Sequence, residues 1–281
     1  MSNQIKTGLL LAVLTALILI FGQALGGSGG LLIAFILAIA MNVGSYWFSD
    51  RIVLKMYKAH EASPEQAPRL HQAVEELAQK AGIPKPRVFI IPEQAPNAFA
   101  TGRNPNHGIV AVTQGILNLI SLEELKGVLA HEISHIKNRD ILIQTITATL
   151  AGVIMFVSSM VRWMAIFGMG GDDEEGGNPI VAIVLAIIAP IAAMLIQMAI
   201  SRSREYLADQ TGAEISGSPR SLAGALEKME EYSKRTPLKT GNAASAHMFI
   251  VNPFSGKNIS KLFSTHPPVQ DRVKRLYSMQ T

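Results

Sequence analysis

The sequence predicts an α+β fold, predominantly helical, with a small antiparallel sheet and four membrane-spanning helices. Three observations carry this. The 281-residue chain is 48% apolar and only 16% charged, with a positive mean hydropathy; a soluble protein of this size carries more charge. Charged side chains are absent from residues 7–49, which hold two apolar runs, and again from 141–161 and 176–201. Around these runs, apolar residues recur at the spacing of amphipathic helices or short strands.

The first charge-free stretch is long enough for two spans of about 20 residues each. Gly26-Gly27-Ser28-Gly29-Gly30 is a turn signal between them, and Tyr46 and Trp47 stand where aromatic residues anchor at an interface. A single Lys6 and the immediate second run argue against a cleaved signal peptide. The later runs, with Gln144 in one and Pro190 in the other, read either as a second transmembrane hairpin or as a buried helical pair. Lys6, Arg51, Lys55, Lys58, Lys137, Arg139, Arg202 and Arg204 fall on one side of a four-span arrangement. The other side carries one arginine and the acidic run Asp172-Asp173-Glu174-Glu175. This asymmetry places both termini and both soluble segments in the cytoplasm.

In the soluble segments, Pro64 to Gly82 reads as a helix with Leu70, Val74, Leu77 and Ala81 on one face. Short strands are expected over 88–91, 97–101 and 108–113, bounded by proline, glycine and asparagine. Ser121 and Glu124 form a capping box that opens a strong helix, expected to run straight into the third apolar run. A helix begins at Ser218-Pro219 with Leu222, Leu226 and Met229 inward, and a last one spans Pro268 to Met279. Residues 236–260 yield no assignment.

The absence of cysteine excludes disulfides and thiolate metal sites, so a metal must be held by His, Asp or Glu. The net charge of +4 is scattered, which suits an anionic membrane surface and makes nucleic acid a poor partner.

The capped helix contains His131-Glu132-Ile133-Ser134-His135. Histidines four apart lie one turn apart on one face and can bind one ion. Glu132 is then placed to act as base toward a water whose pKa the metal lowers. A catalytic site of this kind needs a third protein ligand. The run 201–209 follows the fourth apolar run and carries Glu205 and Asp209, four apart. Glu205 can bind the metal, and Asp209 can hold the second nitrogen of a ligand histidine. Taken alone, the run reads equally as a salt-bridged juxtamembrane helix.

The full-length pattern resembles the HtpX family of membrane zinc endopeptidases, relatives of the CAAX prenyl-protein endopeptidases: two N-terminal spans, H-E-x-x-H, a second hydrophobic pair, then S-R-x-x-E-x-x-A-D. The resemblance implies a zincin-like metalloprotease domain. It implies one Zn2+ per chain on His131, His135 and Glu205, with Glu132 as base and Asp209 behind a ligand. It also implies that His266, in Ser264-Thr265-His266-Pro267 upstream of Arg272, steadies the oxyanion; by itself His266 reads as a loop residue. Arg202 reads as a salt-bridge support of the site or as a lipid contact. Asn97, Ala98 and Phe99 read as a substrate-binding strand edge or as a core strand with Phe99 buried. His60, His71, His107 and His247 read as bystanders.

The expected organisation is a transmembrane hairpin (1–49), a cytoplasmic protease segment (50–140), a second hairpin (141–200), and a helical segment (201–281) that completes the zinc site. The resemblance implies an integral protein of a bacterial inner membrane that acts on misfolded membrane proteins in stress and quality control. Three other readings are a prenyl-protein endopeptidase, a noncatalytic adaptor with a structural zinc, and a transporter. Charged residues within the apolar runs would favour the last, and there are none.

Overall fold

The computed structural model describes residues 3–140, 202–235, 250 and 267–279. The third and fourth apolar runs, the unassigned stretch apart from Ile250, and His266 lie outside the described residues.

Helix α1 spans Asn3–Met56. It is not a straight rod. Sixteen residues of straight helix would put Ile18 about 24 Å from Ala34, yet Ile18, Ala34 and Ala38 form one buried cluster. The chain reverses at Gly27, whose φ of +56° belongs to the region glycine enters without penalty. Outside this seam Leu32, Ile33 and Ile36 are 60% exposed or more. No helix among the described residues is long and apolar enough to cross a membrane. The spans therefore remain a reading of the charge-free sequence and of this exposed apolar surface.

Beyond α1 come strand β1 (His60–Glu61), α2 (Pro68–Ala81), β2 (Arg87–Ile91), β3 (Ala98–Thr101) and β4 (Ile109–Thr113). Next are α3 (Gln114–Leu119) and α4 (Leu122–Asn138), then α5, helical over 202–216, α6 (Pro219–Arg235) and α7 (Val269–Ser278). Helix α2 starts four residues later than Pro64 predicts. Ser63 and Gln66 close a turn first, and Pro68 then takes the opening position where a missing N–H costs nothing.

The sheet runs β1-β2-β4-β3 and is mixed, not antiparallel. β1 and β3 pair antiparallel with their neighbours, but β2 and β4 run parallel, with Val88 opposite Val110. The chain leaves β2, forms β3 at the edge, then returns through a short 3-10 turn (Pro105–His107) to insert β4 between them. β3 is thereby left at the edge.

Helix α4 is the central element. It packs against α2, β3 and α6, and α6 in turn packs on α7. Its capping box is formed: Ser121 Oγ accepts from Glu124 N at 3.3 Å, and Glu124 Oε2 accepts from Ser121 N at 2.8 Å. Its middle is buried from Gly127 to Ile136, polar residues included. The helix ends at Asn138. Arg139 adopts the left-handed conformation (φ 58°, ψ 35°), and its amide caps the carbonyls of His135 and Ile136.

Candidate metal centre

The capping box and core packing fix α4, and the four-residue spacing turns His131 and His135 to one side. Their ring centroids are 4.8 Å apart, nearly perpendicular. Helix α5 lies against this face at close range because residue 212 is glycine. A Cβ there would sit 2.9 Å from the backbone of His131. That approach brings Glu205 between the histidines, with Oε2 3.4 Å from His131 Nε2 and Oε1 3.5 Å from His135 Nε2. One donor atom from each of His131, His135 and Glu205 lies within 4.8 Å of the others, and all three residues are buried. Two imidazole nitrogens and a carboxylate are the donor set of a catalytic zinc with an open position.

Buried ionisable groups must be paired. Asp209, one turn beyond Glu205, sits 3.0 Å from His131 Nδ1. Arg272 of α7, fully buried, donates to both oxygens of Asp209 at 2.9 and 2.7 Å and to the carbonyl of Ile250 at 2.9 Å. It also lies 3.7 Å from Glu205. Burial alone would raise the Asp209 pKa, but the Arg272 charge, then the His131 hydrogen bond, lower it to about 2. Burial works against charge on His131, yet hydrogen bonds to Asp209 and Glu205 prevail and lift it to about 9 in the metal-free chain. A dication bound there would take the place of that proton.

Glu132 is also buried, and its pKa is pushed up by burial, partly offset by the two histidines. Its Oε2 accepts from the amide of Ala100 in β3 at 2.8 Å. Ala100 N–H therefore points away from β4, and by the alternation of an antiparallel pair Ala98 shares that orientation. The proposed substrate segment is thus an edge strand, but its side chains are inward. Phe99 packs with Ile91, Ile109 and Tyr57. The Asn97 side chain accepts from Ile250 N at 3.1 Å. Asn97, Ala98 and Phe99 are all buried.

The structure therefore gathers His131, Glu132, His135, Glu205 and Asp209, with β3 alongside. The buried arginine next to the site at the start of α5 is Arg204, whereas Arg202, two residues earlier, is half-buried. Arg272 was legible in part. Val269, Arg272, Val273 and Leu276 follow the i, i+3, i+4, i+7 pattern, so its charge stands on the face α7 buries. Asp140, buried 3.4 Å from His135 Nδ1, carries no such signal.

A family model described as Peptidase family M48 matches residues 64–280. The chain belongs to this family. It is a metalloprotease, as the names of its relatives agree. It is 59% identical over 278 residues to a "Protease HtpX homolog" of Desulforapulum autotrophicum, covering 98% of this chain and 90% of that one. It is 61% identical over 273 residues to the protein of the same description from Pyrococcus furiosus (97% and 94%). With the Syntrophobacter fumaroxidans protein of that description the identity is 55% over 282 residues (99% and 100%). A crystal structure of S. mikatae Ste24p superposes with a TM-score of 0.59 at 19% identity, over 98% of this chain and 65% of that one. That likeness concerns the fold alone.

Proposed function

We propose that this M48 peptidase is a membrane-anchored zinc endopeptidase that cleaves misfolded or damaged membrane proteins on the cytoplasmic side. The observation that carries the reading is the convergence of His131, His135 and Glu205 around one point, with Glu132 beside them. A zinc ion held there would supply Lewis-acid activation of water and of the scissile carbonyl.

The chain's own groups do the rest. Glu132 takes a proton from the attacking water and hands it to the leaving amine nitrogen. Its raised pKa in a buried setting suits it to hold that proton between the two steps. Asp209 and Arg272 keep His131 Nδ1 protonated, so that Nε2 presents its lone pair. The β3 edge offers backbone pairing to an extended substrate, a mode largely indifferent to side chains and suited to unfolded chains. The family resemblance adds His266 as a donor to the developing oxyanion. Four spans, with soluble segments on the basic side, would hold this site near the bilayer, and the exposed apolar surface of α1 supports an anchor.

The test is cleavage of an unfolded model protein by detergent-purified chain, with and without added zinc. Glu132→Gln is expected to keep its metal and lose about 10²–10⁴-fold in rate. Undiminished turnover in that variant would remove the mechanism. Cleavage confined to a farnesylated C-terminal peptide would replace the quality-control reading with the prenyl-protein one.

A further inference from the structure

The two imidazoles of the metal centre each turn a second nitrogen toward a carboxylate, but the carboxylates arrive by different routes. Asp209 reaches His131 from α5, one regular turn beyond Glu205. Asp140 reaches His135 from only five residues away, and five residues of continuous helix rotate a side chain by about 140°, off the face of His135. The break at Arg139 removes that obstacle. Its φ of 58° is a conformation that side-chain-bearing residues seldom adopt, and it ends α4 so that Asp140 Oδ2 comes to 3.4 Å from His135 Nδ1. Asp140 is held from its other side by Arg204. The guanidinium Nη1 donates to the Asp140 backbone carbonyl at 3.1 Å and lies 3.4 Å from Oδ1. Both residues are buried. Arg204 directly precedes Glu205, so one side chain ties the helix of the carboxylate donor to the partner of the second histidine.

We propose that Asp140 and Arg204 are positioning residues of the metal centre that fix the ring orientation and tautomer of His135, leaving Nε2 free for the ion. The proposal rests on the metal reading above. Asp140 accepts a hydrogen bond from His135 Nδ1–H, and Arg204 anchors Asp140 against rotation. The arrangement mirrors Asp209 and Arg272 on His131, with longer contacts.

The test is zinc affinity, by chelator competition on the full-length detergent-solubilised chain in a Glu132→Gln background that cannot digest itself. Asp140→Ala is expected to weaken zinc about 10–100-fold, and Asp140→Asn, which keeps an acceptor oxygen, to weaken it less. Arg204→Met should weaken it about tenfold, with partial recovery in Arg204→Lys. The melting temperature of the zinc-free form is recorded beside each value. A purely structural role would lower that temperature and leave affinity alone. If Asp140→Ala does not fold, Asp140→Asn and the Arg204 pair carry the comparison. Affinities within twofold of the parent for every variant would overturn the proposal. A parent that binds no zinc would instead overturn the metal reading.

Discussion

Helix α1 and the α4–α5 contact each invert the usual partition of a folded chain, in opposite directions. Along α1 large apolar side chains face outward, Leu32 and Ile33 among them, while the seam between its arms is built from Ile18 and alanines. At the α4–α5 contact His131, Glu132, His135, Glu205, Asp209 and Arg272 are buried together. Neither surface is stable on its own terms. Exposed apolar area needs a covering phase, and buried charge needs partners. The first need is met from outside the chain, by lipid in the proposed account. The second is met largely from within, by the Arg272–Asp209–His131 chain of contacts, and in the same account would be completed by an ion.

The difference can be broken at either end. The largest stability effect is expected at Arg272. Arg272→Met leaves Asp209 buried without its counter-charge, at a cost of about 3–5 kcal/mol in thermal or denaturant unfolding of the detergent-solubilised chain. Pairing it with Asp209→Leu should recover most of that loss; an equally unstable double variant would mean the arginine acts mainly through Ile250. In α1, Ile33→Lys distinguishes lipid from water as the covering phase. Facing lipid, it should cost about 2.5–3.5 kcal/mol of insertion and reduce the membrane-extracted fraction; an unchanged fraction would place that face in water. The smallest effect is expected where charge is already solvated. Glu61 and Arg87 pair across β1 and β2 at 2.8 Å with both side chains about half exposed, so Glu61→Gln should shift stability by less than about 1 kcal/mol.

Local signals in the sequence led directly to several of these features. Apolar spacing placed Leu222, Leu226 and Met229 inward on α6, and Ser121 with Glu124 announced the start of α4; the structure has both. What failed was non-local or conformationally unusual. The parallel pairing of β2 with β4 depends on β3 looping outward first, which no strand-length pattern encodes. The stop at Arg139 lacks the glycine that ordinarily marks a left-handed cap, so α4 reads as continuous and Asp140 reads as a flank of the next segment. The Arg204 contact is hidden for the same reason, since it exists only once Asp140 has turned back.

The central claim is that His131, His135 and Glu205 hold one ion, and zinc content after exhaustive dialysis tests it most directly. The account predicts about one zinc per chain in the parent and in Glu132→Gln, and almost none in Glu205→Ala. Full zinc content in Glu205→Ala would contradict it, and would assign the third ligand to another residue.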